Sequence, residues 1–383
     1  MTDRATGTAR ADLDSIRAVA DAVLYEGYLL YPYRRSSGKN RVRWQFGVLL
    51  PPDWARAHGL LDSGVAGSAE SWWQRTECLV EAPDDAVLRL RVRFLQVQRK
   101  TVEERLPDGT HREVGGLDLG EGTELGFDEA VPREYEVGTK LADLFGQGRR
   151  FGFGFPGGKE DQPLTDSGGL AVGRAVRRRW PVSASLSLSA APAETPHRLV
   201  RLRVHLENTG RSVAPKAPRD EALRYAMVAT HVLLGVDGGS FLSLLDPPEW
   251  ARAAAEACSN VHAFPVLAGE PGRGDLVLSA PILLPDHPRI APESPGDLHD
   301  ATEIDELLSL RTLTLTEAEK REARGTDPRA AQIVDRVDTM PPEVLSRLHG
   351  AVRSLRPVAG GKRWQADETQ NGWAQNGGAQ EGG

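Results

Sequence analysis

Three stretches carry residue types at spacings that bear on chemistry. Thr165-Asp166-Ser167-Gly168-Gly169 holds an Asp-Ser-Gly-Gly string of the kind that places a serine nucleophile on a tight turn. The leading glycine is absent and no upstream Ala-Ala-His-Cys stretch supplies a base, and a serine without a positioned histidine is inert. The string therefore reads as a turn. Gly157-Gly158-Lys159 fails as a phosphate loop: Glu160 stands where Ser or Thr is needed, and the first glycine of the spacing falls on Phe153. Gly152-Phe153-Gly154 does not open a helix, which removes the dinucleotide fingerprint. Asp286-His287 and His299-Asp300, with Glu303 and Asp305 close behind, offer imidazoles and carboxylates that zinc or nickel would accept. His299 and Glu303 are one helical turn apart, yet no spacing rule brings His287 beside them, and acids at 300–306 equally suit a helix N-terminus. His287, His299 and Asp300 stay as the candidate ligands of an alternative reading, and no catalytic or cofactor-binding residue is assigned.

Binding surfaces are the other possibility. Arg89, Arg91 and Arg93 alternate with Leu88, Leu90, Val92 and Phe94, and Arg201, Arg203 and His205 alternate with Val200, Leu202, Val204 and Leu206. If the two strands are neighbours, the stripes join into a basic face for an acidic partner surface; the plainer reading is a solvated sheet face. Tyr31, Tyr33, Arg43 and Trp44 belong to VLYEGYLLYPYRRSSGKNRVRWQFGVLL (23–50), which reads as two strands joined by a polar turn. If these side chains line a cavity, the chain is a small-ligand binder. Trp364 and Trp373 are the large apolar residues of the final segment and would serve as docking anchors.

The elements that must position these residues are mostly strands. Leu13, Ile16, Ala20 and Val23 are spaced for a short amphipathic helix over 12–23. Pro51-Pro52-Asp53-Trp54-Ala55-Arg56-Ala57 starts a helix, with Pro in the first turn and a carboxylate at the dipole. At 247–253 Pro-Pro-Glu-Trp-Ala-Arg-Ala repeats that device. The alternation over 87–94 changes phase at Leu95 and Val97, which implies a bulge or strand end. Residues 107–129 read as turns or a long loop, and 146–173 as an irregular loop with short extended pieces. Strands follow at 182–189, 200–207, 263–267 and 276–284, with a helical or mixed stretch at 221–236. Thr316-Glu317-Ala318-Glu319 is a capping box, and apolar spacing predicts helices from 301 onward. The expected fold is α+β. It comprises an N-terminal segment (1–20, partly disordered), an antiparallel β-sandwich-like or barrel-like domain (21–212), a mixed segment (213–300), a helical C-terminal part (301–356) and a disordered tail (357–383).

Composition bounds the function classes. The chain has 383 residues, 40% hydrophobic and 26% charged, with net charge −7, so bulk electrostatics offers no reason to expect nucleic acid. Only seven of its 47 basic residues are lysine, a bias that reads as genomic rather than functional. No apolar run approaches the ~18 residues of a membrane span, and the N-terminus has no apolar signal core. Two cysteines, Cys78 and Cys258, lie outside any paired motif. That excludes the cysteine sets of iron–sulfur and structural zinc sites and points to a reducing cytoplasm.

The stretch VLYEGYLLYPYRRSSGKNRVRWQFGVLLPPDW, together with GDLVLSAPILLPDHPRIAPESPGDLHDATEIDELLSLRTLTLTEAEK, resembles an uncharacterised bacterial family encoded beside the structural and maturation genes of nickel–iron hydrogenases. The resemblance covers most of residues 20–356 and carries no functional residue with it. It implies a cytoplasmic, non-catalytic accessory protein, without cofactor, that assembles or stabilises the hydrogenase and has hydrogenase subunits or maturation factors as partners. The alternatives are a metal-dependent enzyme or metal-delivery protein with ligands near 286–305, and a small-ligand-binding β-sandwich.

Overall fold

The computed structural model describes residues 11–29, 47–60, 70–120, 122–211, 213–289 and single positions between 316 and 339. Over these residues the protein is mostly β, with antiparallel sheets and a few short helices. One sheet has five strands in the order β13 (Ser240–Leu242), β1 (Trp73–Glu81), β11 (Val200–Asn208), β10 (Val182–Pro192), β7 (Arg149–Phe155). The other runs β14 (Phe264–Leu267), β15 (Leu276–Ala280), β12 (Val228–Asp237), β2 (Val87–Arg105), β9 (Ala171–Arg179), β8 (Gly158–Thr165). Two more strands, β3 (His111–Val114) and β6 (Phe127–Lys140), also pair with β2. A separate small hairpin is made by β4 (Gly116–Asp118) and β5 (Thr123–Leu125).

The spine is β2. Its 19 residues would extend about 60 Å. Since Val87–Leu95 pairs with β12 and β6 together, those two flank it on opposite sides. The alternation that defines it works as expected at first: Leu88, Leu90, Val92 and Phe94 enter an apolar cluster shared with Cys78, Val80, Leu186, Leu188, Leu202, Val204, Leu206, Val232 and Leu234. That cluster is where the inner faces of the two sheets meet. At Leu95 the strand neither ends nor bulges, since its register with β6 is unbroken from Val87 to Lys100. What changes is the cover: Leu95 and Val97 pass under a second cluster with Leu50, Trp54, Val213 and Ala222. The irregularity lies on β12, between Val228 and His231, where Ala229 takes a positive φ of 52°. Gly47 (φ 56°) packs into that bulge; a Cβ there would lie 2.8 Å from the Thr230 nitrogen, so only glycine fits.

The helix expected near the N-terminus is present as a short turn, Leu13–Ile16, that runs into α1 (Arg17–Leu29). Leu13, Ile16, Ala20 and Val23 are buried against Leu233 and Leu278. The helix extends to Leu29, so no strand starts at Tyr28; the helical spacing simply carries on past Val23 through the apolar Leu24. Residues 30–46, and with them the rest of the expected hairpin, lie outside the described residues. Both Pro-Pro-acid-Trp stretches begin helices as expected, α2 (Pro52–Ala57) and a turn at Glu249–Ala251 leading into α4 (Arg252–Glu256). Trp54 is buried and its Nε1 donates to the Ala217 carbonyl at 2.7 Å. Replacing Trp54 by Phe is expected to destabilise the protein by about 1–3 kcal/mol through the orphaned carbonyl, read as a lower urea midpoint with an unchanged slope.

Two loop expectations are corrected. Residues 107–129 contain β3, β4, β5 and the start of β6, and 146–173 contain β7, β8 and the start of β9. In β7 the period is intact, with Phe151, Phe153 and Phe155 half-buried against the core and Gly152 and Gly154 exposed, so glycine masks the strand by filling its solvent face. In β8 nearly every residue is exposed and only Leu164 is buried, which leaves no alternation to read. The segments before and after 212 share both sheets, since β12 pairs with β2 and β13 with β1. Val213 and Ala217 of the Pro-rich stretch are buried. A short helix, α3 (Arg219–Leu223), follows it. No helical C-terminal part is shown: 301–356 lies outside the described residues apart from isolated positions, and the tail lies wholly outside them.

Candidate functional site

The arginine stripe on β2 is not a solvated face. Arg91 and Arg93 keep only 9% and 2% of their side-chain exposure because α1 and its leading turn lie across them. Arg93 pairs with Asp21 of α1 and with Glu134 of β6 at 2.9 Å, and Arg91 with Asp14 at 2.6 Å and with Glu136. Arg89 reaches Asp237 at 2.8 Å, and Asp237 also takes the Ala11 amide. Arginine alternating with leucine is the signature of an outward face, but here the outward face is roofed by a helix with acids at matching positions. The second stripe belongs to the other sheet, where Arg203 meets the buried Glu77 at 2.5 Å. The two stripes do not join.

Beside Arg93 in the β12–β2 register lies His231, which is completely buried. One ring nitrogen, Nδ1, is 2.9 Å from the Ala229 carbonyl and Nε2 has no partner. Burial, and then the neighbouring Arg93 charge, push its pKa down to about 3, so the ring is neutral at physiological pH.

The metal candidates divide. His287 and Asp286 pin the 281–289 segment to β14: Asp286 accepts from the Ser243 hydroxyl and the Leu267 amide, and the His287 amide donates to the Leu267 carbonyl. The His287 ring lies 3.2 Å from the Gly269 carbonyl. His299, Asp300, Glu303 and Asp305 lie outside the described residues, as do Tyr31, Tyr33, Arg43, Trp44, Trp364 and Trp373. Among the described residues no group of three His, Cys, Asp or Glu side chains could hold a metal ion. Ser167 sits in the β8–β9 turn, as read, where Asp166 accepts the Gly168 and Leu170 amides. Cys258 is held up at about 11 by burial, and burial also raises Cys78, so neither is a ready thiolate.

The feature that sequence reading missed is an open side of the two-sheet body. At one side the sheets are stitched: Arg75 of β1 exchanges two backbone hydrogen bonds of 2.9 Å with Val261, just before β14. At the other side β7 ends the five-stranded sheet and β6 pairs with β2 alone, with no backbone ladder between them. Side chains fill the gap. Tyr135 of β6 stacks on Phe153 of β7 at 4.2 Å and 7°, and Phe155 meets Phe153 edge-on. Edge β6 is blunted by Pro132 and by its many charges, whereas β7 (RRFGFGF) has no proline and carries charge only at its first two residues. The alternating Phe-Gly pattern was the available signal.

No protein-family model matches the chain, and no curated protein does. Among solved structures, the secretin of the Salmonella SPI-1 type III secretion injectisome in its open-gate state aligns at 8% identity with a TM-score of 0.09. The alignment covers 54% of this chain and 59% of that one, and a likeness of that size carries no argument. No helix among the described residues is long and apolar enough to cross a membrane.

Proposed function

We propose that this protein is a non-catalytic binding protein with a sandwich-like body, which grips an extended segment of another protein along β7. The observation that carries the reading is the β7 edge, unpaired among the described residues, beside the half-buried row of Tyr135, Phe151, Phe153 and Phe155. An added strand would take its affinity from main-chain hydrogen bonds and its selectivity from alternate side chains set against those rings. The resemblance to the hydrogenase-cluster family supplies the partner class, hydrogenase subunits or their maturation factors in the cytoplasm. The exposed Gly152, with open space around a would-be Cβ, is the position for a photo-crosslinking side chain that leaves the fold alone.

The test is a tagged pull-down from the native host with irradiation, comparing wild type with Phe153→Lys and confirming by circular dichroism that the variant folds. Near-stoichiometric recovery of a hydrogenase subunit or maturation factor, crosslinked through position 152 and weakened about tenfold or more by Phe153→Lys, is the expected result. A partner that is retained undiminished by the variant and uncrosslinked at 152 sinks the edge as its docking site. A chain recovered alone with an equivalent of nickel or zinc overturns the accessory reading.

A further inference from the structure

The chain carries net charge −7, yet at one point in the fold two arginines share an aromatic ring with no acid paired to either among the described residues. There Trp180 and Pro181 take the backbone from β9 in one sheet to β10 in the other. Arg178 and Arg224 both lie over the Trp180 ring, at 5.1 and 4.9 Å from its centroid. Gln96 ties this pair to a third arginine, donating to the Trp180 carbonyl at 2.7 Å while accepting from Arg133 Nε at 2.9 Å. Arg179, the fourth, donates to the side-chain oxygen of Gln98. Gln98 in turn donates to Glu129, whose carboxylate is already taken by Arg177.

The strand register divides these four between two faces of the sheet: Arg133 and Arg179 lie with Phe94 and Gln98, whereas Arg178 lies with Arg99 and meets Arg224 on the Trp180 ring. None has an ion-pair partner among the described residues, although most other arginines of the body do. On the inner face, burial and the charge of Arg179 together hold Arg133 below the ordinary arginine range. Arg224 Nε is buried with no acceptor at all. A buried donor without an acceptor, beside a second unpaired guanidinium on the same ring, is a place that an anion would complete.

We propose that this crossing binds a phosphate-type oxyanion. Tetrahedral phosphate presents oxygens in several directions and can meet donors from more than one guanidinium, whereas a carboxylate's coplanar pair matches a single fork. Both Trp180-stacked arginines are already oriented by the ring, so little side-chain freedom is lost on binding. The site does not depend on strand docking at β7.

The probe is inorganic pyrophosphate, titrated into the full chain by calorimetry and by tryptophan fluorescence, with Arg224→Met, Arg178→Met, Trp180→Phe and the distant, Glu249-paired Arg252→Met as control. The expected result is one site with Kd of order 10⁻⁴ M or tighter, weakened about tenfold by either methionine variant and unchanged in the control. The fluorescence response should vanish in Trp180→Phe. Absence of binding to wild type, or equal weakening in the control, overturns the site. Tighter binding of an oligo-aspartate peptide than of pyrophosphate also overturns it, assigning the cluster to carboxylates instead.

Discussion

Acidification from pH 6.5 to about 5 is expected to remove about 2 kcal/mol of stability through His231 alone. The folded ring is held near pKa 3 by burial and by Arg93, against 6.5 for an exposed imidazole. The unfolded chain therefore binds a proton that the folded chain refuses, throughout the window between those values. The histidine's contribution is intact above pH 6.5 and falls as pH drops toward 3, where the loss totals roughly 4–5 kcal/mol. His205 and His262 are shifted down as well, by burial first, so wild-type acid sensitivity is a sum with one sign. The variant His231→Leu isolates the single site. Urea unfolding at several pH values between 7.5 and 5 should give a wild-type curve that steepens below pH 6.5 relative to the variant. Parallel curves would show that the buried ring does not resist protonation.

Removing the guanidinium from Arg93 should cost about 3–5 kcal/mol in Arg93→Ala. That change opens space under α1 and strips the common partner from Asp21 and Glu134. In Arg93→Met the apolar stem is kept, and one of the arginine nitrogens, Nη1, has no partner to lose. The methionine variant should therefore recover the packing share of the loss, about 1–2 kcal/mol, while Asp21 and Glu134 stay without their cation. Chemical denaturation of both variants checks the order. If alanine and methionine prove equally destabilising, the charge pairing outweighs the packing; if alanine is neutral, α1 is not anchored at this point.

The strands with apolar and polar residues on separate faces were legible: Val87–Phe94, Val182–Leu188 and Val200–Leu206 all stand where alternation put them, because a half-buried sheet imposes a two-residue period. Both Pro-Pro-acid-Trp helix starts were legible for a local reason, since proline and a carboxylate suit the first turn whatever lies beyond. Strand β7 was obscured because its solvent positions are glycine, and β8 because both of its faces meet water. The burial of Arg91 and Arg93 was illegible in principle. Nothing within 87–94 records that acids 70-odd positions earlier come to lie over it. The arginine pair at Trp180 was hidden likewise, since Arg178 at the end of β9 and Arg224 at the end of α3 meet only in the folded chain. Tyr31, Tyr33, Arg43, Trp44 and His299 fall outside the described residues, so their expected roles stand as proposals.

The long central strand also sets a timetable for the protein's birth. As the ribosome releases β2, its neighbour β6 follows within a few dozen residues, but β12 comes far later: Arg89 waits for Asp237 across 148 positions. Until that stretch is made, one flank of Val87–Leu95 is a bare row of amides and carbonyls beside an uncovered apolar face, an open template for any stray strand. Among the described strands, β12, β14 and β15 lie late in the chain and complete the sheet that β2 began. The nascent chain thus carries the apolar residues of its spine uncovered over that interval, and it is then that a chaperone would have the most to protect.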